Sequence, residues 1–241
     1  QHSEHFGGPR GTDPAGLGPH RFVFCVQNHD QVGNRALGER LHHQVDLAAF
    51  RAATALLLCA PQTPLLFMGQ EWAAPEPFLF FTDHEAALGR LVTAGRREEF
   101  RGFSAFSDPA RRELIPDPQA ASTFERSRLD WGRTAEEPHA SVLRLHRALL
   151  RLRGEEPLLR ETPGRSVHVT AAGDDALAIE YGAAGRALLV VVRLRGAGSV
   201  DVRPSAGEGR PWRAALSTED VSFAPDPHPV KIDPSGTGLS V

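Results

Sequence analysis

Residues 22–31 read FVFCVQNHDQ, an apolar run that gives way within one residue to amide, imidazole and carboxylate side chains. A continuous apolar run of this length, ended by a polar cluster, favours a strand buried on both faces. We therefore predict a buried strand over residues 22–27, with Asn28–Gln31 at its carboxyl end. In a parallel barrel of alternating strands and helices, that end of each strand carries the residues that do chemistry. The polar cluster is accordingly a candidate site.

The residues that follow predict a strand–helix–strand unit. Asp46 is a suitable N-cap for a helix that runs to Cys59, because apolar residues recur there at helical spacing and Pro61 ends the pattern. A second apolar run, Leu65–Met68, comes after a short connection and ends in the string GQEW at residues 69–72. Strand, helix and strand in this order favour parallel pairing of the two strands.

Loops and helices dominate the rest of the first 155 residues. Residues 1–20 have no periodicity and are predicted to be loop, as is most of residues 73–133 apart from a helical piece at 85–100. A helical pattern then runs from Pro138 to Arg153, with one apolar stripe. We assign residues 1–155 to a domain of the α/β class.

The pattern changes to short strands after about residue 157. Glycine-rich turns separate four apolar segments, which predict strands at 166–170, 176–181, 187–194 and 200–203. Residues 156–241 are therefore expected to form a small antiparallel, sandwich-like β domain.

The overall composition is that of an ordinary globular protein. Of the 241 residues 41% are hydrophobic and 24% charged, and the net charge of −3 gives no electrostatic reason to expect nucleic acid or a membrane as partner. Arg96 and Arg97 are expected on a solvated helix face or beside carboxylates. Cys25 and Cys59 lie in apolar surroundings, which favours free buried thiols. Because the chain shows no signal-peptide pattern, a cytoplasmic location is expected, and the missing initiator methionine indicates sequence upstream.

Five strings together resemble a known enzyme family, the malto-oligosyltrehalose trehalohydrolases of glycoside hydrolase family 13, the α-amylase clan. The strings follow the family's order along the chain and lie at residues 27–41, 64–72, 80–84, 95–100 and 129–131. The resemblance implies a (β/α)8 barrel, of which this chain would supply the last two strands, followed by a β-sandwich domain. It also implies hydrolysis of the α-1,4 bond next to the terminal trehalose of maltooligosyl trehalose, with no cofactor.

The resemblance assigns chemistry to the first polar cluster. Asp30 would be the third carboxylate of the clan, which stabilises the transition state, and His29 would bind the hydroxyls of the sugar being cleaved. The nucleophile and the acid of the family lie in strings that this sequence lacks. The chain alone is therefore expected to be inactive, and its expected partner is the missing N-terminal half of the barrel.

The remaining candidate substrate-binding residues are Asn28, Gln31, Arg35, Glu71 and Trp72. Each has an alternative that involves no substrate. Short polar runs at strand ends often cap helices, an arginine can fix its own loop, a carboxylate can orient neighbouring groups, and a tryptophan can simply pack. The segment 129–131 is expected to be a structural clasp beneath the last helix. No zinc-type spacing of ligands occurs in the sequence, so no metal is expected.

Two other functions stay open. One is another reaction of the same clan, such as transfer by a glycogen branching enzyme, against which the continuation after Gly33 argues. The other is a non-catalytic role, in which the chain binds α-glucan or stabilises a barrel that another polypeptide supplies.

Overall fold

The computed structural model describes residues 2–4, 6–9, 11–160, 164–200, 202, 212–228, 230–232 and 239–240. The described α-helices are α1 (His29–Gly33), α2 (Leu47–Cys59), α3 (Ala86–Glu99), α4 (Pro109–Arg112), α5 (Ala121–Arg126) and α6 (His139–Glu155). The described strands are β1 (His2–Ser3), β2 (Gly8–Pro9), β3 (Val23–Phe24), β4 (Thr63–Pro64), β5 (Ser166–Ala171), β6 (Ala176–Ala183), β7 (Arg186–Arg193), β8 (Ser199–Val200), β9 (Lys231–Ile232) and β10 (Leu239–Ser240). Within this part of the chain, no helix is long and apolar enough to cross a membrane.

The predicted strand–helix–strand unit is confirmed. β3 and β4 pair in parallel, with Phe24 opposite Pro64, and α2 connects them. The helix begins where its N-cap predicts, because the Oδ1 atom of Asp46 accepts a hydrogen bond of 2.7 Å from the backbone N–H of Ala49.

Both strands of this unit are shorter than predicted, and the second is displaced. The expected strand over 65–68 is wrong: pairing occurs at 63–64, since the N–H of Thr63 donates to the carbonyl of Phe22 and that of Leu65 to the carbonyl of Phe24. Beyond Leu65 the chain leaves the sheet and enters a 3-10 helix at residues 70–72.

The expectation that the first strand is buried on both faces is also wrong for this chain. Val23 is 61% exposed and Phe24 is 48% exposed. Among the described residues, β3 and β4 form a sheet of two strands, which is too small to enclose side chains as a closed barrel does.

The largest hydrophobic core joins the helices to the β-sheet. It brings together buried side chains from α2, α6, the segment after α6, and β6: Leu58, Cys59, Leu145, Leu149, Leu158, Leu159, Ile179 and Tyr181. This cluster continues across the predicted domain boundary at residue 155, so α2 and α6 pack on one side against the sheet.

The sheet that covers this core is an antiparallel meander in the order β5–β6–β7, as the sequence predicts. In the central strand β6, Tyr181 lies opposite Val167 of β5 on one side and opposite Leu188 of β7 on the other. A second antiparallel sheet has the order β8–β10–β9. Of the predicted strand 200–203, residues 201 and 203 lie outside the described residues. The sandwich arrangement stays a prediction.

Polar contacts connect α2 to the part of the chain that follows α6. The phenol O–H of Tyr181 donates to the carbonyl of Cys59 at 2.6 Å, and burial raises the pKa of both side chains, that of Cys59 to about 11. The guanidinium of Arg51 on α2 forms an ion pair of 2.6 Å with Glu219, and both side chains are largely buried. Both Cys59 and Cys25 are free thiols, as predicted, but the expected burial is confirmed only for Cys59, since Cys25 is half-buried.

Candidate functional site

The predicted cluster after β3 forms the start of α1. The Oδ1 atom of Asn28 accepts a hydrogen bond of 2.9 Å from the backbone N–H of Gln31, and the carbonyl of Asn28 accepts from Val32. Asn28 is therefore the N-cap, which is the structural alternative for this residue. The cap places His29 and Asp30 in the first turn of the helix, where a carboxylate is favoured by the helix dipole.

His29 and Asp30 project away from the core. Their side chains are 71% and 73% exposed, and the Nε2 atom of His29 lies 3.4 Å from the Oδ1 atom of Asp30. Gln31 is exposed beside them. An imidazole and a carboxylate that lie close together in the open, after the short segment that follows β3, can bind hydroxyl groups as donor and acceptor.

The loop after α1 is fixed by its own backbone. The guanidinium of Arg35 donates to the carbonyl of Glu39 at 2.6 Å, which favours the loop-fixing interpretation of this residue. Gly38 has a φ of +63°, and a Cβ atom there would lie 2.5 Å from the carbonyl oxygen of Phe78. Only glycine meets both conditions, so this position locks the loop against the segment that follows β4.

The loop after β4 is organised around a residue that the sequence did not reveal. Arg40 is fully buried, and its guanidinium donates to the carbonyls of Met68 and Glu76 at 2.8 and 2.6 Å. Burial lowers the pKa of Arg40 to about 10, although the carboxylates of Glu76 and Glu71 act in the opposite direction. Glu71 is half-buried and acts electrostatically on Arg40, and its role at the site stays a prediction. The burial of this arginine could not be predicted, because a polar string has no hydrophobic periodicity that marks one of its residues as buried.

Trp72 lies in the core. Its ring packs against that of Trp131 with the centroids 4.8 Å apart, and its carbonyl oxygen lies 2.9 Å from the Nδ1 atom of His139. This placement favours packing over sugar stacking for Trp72. Trp131 is 68% exposed, and in the predicted clasp at residues 129–131 Asp130 is exposed as well and Leu129 is half-buried.

An aromatic cavity of about 370 Å³ lies next to this pair. It is bounded by the exposed side chains of Met68, Phe81, Phe124 and Trp131, together with Phe78. Phe78 also touches the position where a Cβ atom of Gly33 would stand, at 3.6 Å, so the cavity adjoins α1.

Three histidines near this region are structural. The Nε2 atom of His42 lies 2.9 Å from the carbonyl oxygen of Ala74, and burial lowers the pKa of His42 to about 3. Burial also lowers the pKa of His43 and of His146. His146 is buried and His42 is half-buried, whereas the side chain of His43 is exposed. A neutral imidazole in a buried place stabilises the fold as long as it stays unprotonated.

Arg96 and Arg97, which are neighbours on α3, have different environments. Arg97 pairs with Glu113 at 2.8 Å, as the sequence suggests. The expectation of a solvated face is wrong for Arg96, which is 6% exposed and packs between the rings of Phe80 and Phe100.

The chain is similar to curated malto-oligosyltrehalose trehalohydrolases. It is 51% identical to the one from Deinococcus radiodurans over 68% of this chain and 27% of that protein. For Arthrobacter ramosus the identity is 47%, over 61% of this chain and 24% of the relative. For Saccharolobus solfataricus it is 36%, over 56% and 21%. The chain thus spans about a quarter of the length of these relatives. No protein-family profile matches the chain.

Two solved structures superpose on most of this chain. A Salmonella typhimurium protein described as a candidate alpha amylase superposes with a TM-score of 0.72 at 36% identity, over 88% of this chain and 35% of that chain. An alpha-glucosyl transfer enzyme superposes with a TM-score of 0.50 at 20% identity, over 91% of this chain and 38% of that chain, which supports the fold alone.

Proposed function

We propose a glycosidase role for this chain, which is related to the α-amylase family, glycoside hydrolase family 13, and corresponds to the C-terminal part of such an enzyme. The proposed reaction of the complete enzyme is hydrolysis of the α-1,4-glucosidic bond next to the terminal trehalose of maltooligosyl trehalose. It would release trehalose and a maltooligosaccharide, a step in trehalose biosynthesis.

One observation carries this proposal: α1 holds the imidazole of His29 and the carboxylate of Asp30 together and exposed at the end of β3. In the retaining mechanism, a nucleophilic carboxylate forms a glycosyl-enzyme intermediate, a carboxylic acid protonates the leaving oxygen, and water then releases the sugar. Asp30 would accept hydrogen bonds from sugar hydroxyls. Those bonds strengthen as positive charge develops on the ring, so they stabilise the transition state more than the ground state.

The nucleophile and the acid must come from elsewhere, because the strings that carry them are absent from residues 1–241. The exposed apolar side chains of β3 fit this requirement. Val23 and Phe24 point to opposite faces of the strand, so in a complete eight-stranded barrel one would be covered by the packed interior and the other by the surrounding helices. The N-terminal half of that barrel is therefore the proposed partner, and the chain by itself is proposed to be inactive.

The experiment compares Asp30→Asn with the unaltered sequence in a polypeptide that joins this chain to all preceding barrel strands. With maltotriosyltrehalose as substrate, we expect kcat to fall about 10²–10³-fold, as for the loss of one charge-stabilising group. Asp174→Asn, in the exposed turn between β5 and β6, is the matched control and should leave kcat unchanged. Equal kcat in D30N and in the unaltered enzyme would refute the role of Asp30, and transfer products in place of trehalose would favour the branching reaction.

The aromatic cavity favours a second candidate function, the binding of α-glucan without catalysis. Exposed rings such as those of Trp131 and Phe124 can pack against the apolar face of a glucose unit. Calorimetry of this chain with maltotriose, compared with a Trp131→Ala variant, tests the idea. Heat that is lost in W131A would support binding at the cavity, and the absence of heat with the unaltered chain would exclude it.

A further inference from the structure

We infer that Arg96 is a positioning residue for Asp30, because it holds the C-terminal end of the short helix on which Asp30 stands. This inference rests on the proposed function only as far as the role of Asp30 is concerned. Arg96 lies on α3, 66 positions along the chain from Asp30, and is not a member of the polar cluster after β3.

The contact consists of two charge-assisted hydrogen bonds. One guanidinium nitrogen of Arg96, Nη2, donates to the carbonyl of Gly33 at 2.7 Å and to the carbonyl of Arg35 at 2.8 Å. Gly33 is the last residue of α1. A positive charge at this end of a helix is favourable, because the carbonyls there have no partner within the helix and carry the negative end of its dipole.

Arg96 itself is held rigidly. Its guanidinium carbon lies 4.9 Å from the centroid of the Phe80 ring and 4.8 Å from that of the Phe100 ring, so the group makes cation–π contacts with both aromatic rings. Glu99 completes its surroundings, with an oxygen 3.4 Å from Nη1. A planar group confined in this way can hold the two carbonyls in one place.

A helix of five residues depends on such outside contacts. Forming a single helical turn is unfavourable in isolation, since several backbone angles are fixed for few hydrogen bonds. In α1 the N-terminal end has its cap in Asn28, and the C-terminal end has Arg96. The two ends are linked directly through Asp30, because its carbonyl accepts a hydrogen bond of 3.0 Å from the backbone N–H of Asn34.

The consequence for chemistry follows from the tolerance of active sites. A displacement of about 1 Å in a catalytic group can lower a rate by about 10²-fold. Loss of Arg96 would release the last turn of α1 and with it the direction in which the Asp30 carboxylate points. Substrate contacts outside α1 would be unaffected, so the effect belongs to kcat more than to KM.

The first test uses this chain as it is and measures amide hydrogen exchange by NMR. In Arg96→Met, the amides of Val32 and Asn34 should exchange at least about tenfold faster, while those of α6 keep their rates. Arg96→Lys keeps the positive charge beside the two rings but loses the planar guanidinium. Its exchange rates should therefore lie between those of R96M and those of the unaltered chain. Arg97→Met, which removes the neighbouring ion pair with Glu113, is the control and should leave α1 unchanged.

Two results would overturn the inference at this stage. One is unchanged exchange in α1 for both Arg96 variants. The other is a rise of the same size in α1 and α6, which would mean that Arg96 stabilises the whole fold and has no local role. If R96M fails to fold, R96K alone decides between these outcomes.

The second test measures kinetics in the joined polypeptide with all barrel strands. R96M should lower kcat about 10–100-fold and leave KM within about threefold of its original value. R96K should recover part of the lost kcat, and R97M should leave kcat unchanged. A change in KM alone would contradict positioning. If the unaltered joined enzyme lacks activity on maltotriosyltrehalose, the proposed function fails, whereas the exchange experiment still decides what Arg96 does to α1.

Discussion

The two sheets that flank α2 and α6 differ in how they are completed. The parallel pair β3–β4 has two residues in each strand and exposes Val23 and Phe24, whereas β6, eight residues long, buries Ile179 and Tyr181. Antiparallel strands joined by tight turns find their neighbours within a few residues of sequence. Parallel barrel strands need neighbours that are distant in sequence. The same apolar pattern therefore yields a finished sheet in one region and an open one in the other.

The largest expected effect separates these two regions by stability. Tyr181→Ala removes a fully buried ring and its hydrogen bond to Cys59, and should lower the free energy of unfolding by about 3–5 kcal/mol. Phe24→Ala removes a half-exposed ring and should lower it by less than about 1 kcal/mol. Urea unfolding followed by circular dichroism measures both. Equal losses of unfolding free energy in the two variants would mean that β3 is covered in solution, and the two sheets would then not differ in this respect.

The next effect concerns the buried ion pair between Arg51 on α2 and Glu219. Arg51→Met leaves the largely buried carboxylate of Glu219 without its ion pair and should cost about 2–3 kcal/mol of unfolding free energy. Arg51→Met combined with Glu219→Gln should recover part of that loss, because no unpaired charge remains. The control is Arg101→Met, whose ion pair with Glu98 is exposed. If R101M lowered the free energy of unfolding as much as R51M, the buried ion pair would be no more important for stability than an exposed one.

A third effect is the dependence of stability on pH. The folded protein lowers the pKa of His42 to about 3, mainly by burial, so between pH 6.5 and 3 the unfolded chain binds a proton that the folded chain does not. Stability is therefore complete above about pH 6.5 and is lost as the pH falls through this window. His42→Gln should reduce the slope of unfolding free energy against pH by up to about 1.4 kcal/mol per pH unit. His168→Gln, on the exposed strand β5, is the control, and a slope that H42Q leaves unchanged would contradict the burial of this imidazole.

The smallest effect on stability should accompany a large effect on assembly. Val23→Lys places a charge on the open strand, where 61% of the residue is exposed, and should change the unfolding free energy of this chain by no more than about 0.5 kcal/mol. The same change should abolish binding to a polypeptide that carries the preceding barrel strands, since a lysine would be buried there. A pull-down with that polypeptide and a melting curve measure the two quantities. Retained binding would show that the partner does not cover β3.

Local signals identified most of the regular structure. The N-cap Asp46 and the helical spacing after it predict α2 to within one residue, and the glycine-rich turns predict the β5–β6–β7 meander. The position of β4 was missed because Leu65–Met68 is apolar, yet its backbone leaves the sheet. A hydrophobic run shows which residues avoid water and does not show which backbone groups pair.

The candidate site divides in the same way. Sequence alone determined that an imidazole and a carboxylate, His29 and Asp30, follow an apolar strand, because strand and site are contiguous in the chain. Only the tertiary structure decided that Trp72 is buried and that Arg40 and Arg96 hold the two loops. Those roles depend on contacts between segments distant in sequence, and an arginine is polar by composition whether its guanidinium lies in water or between two aromatic rings.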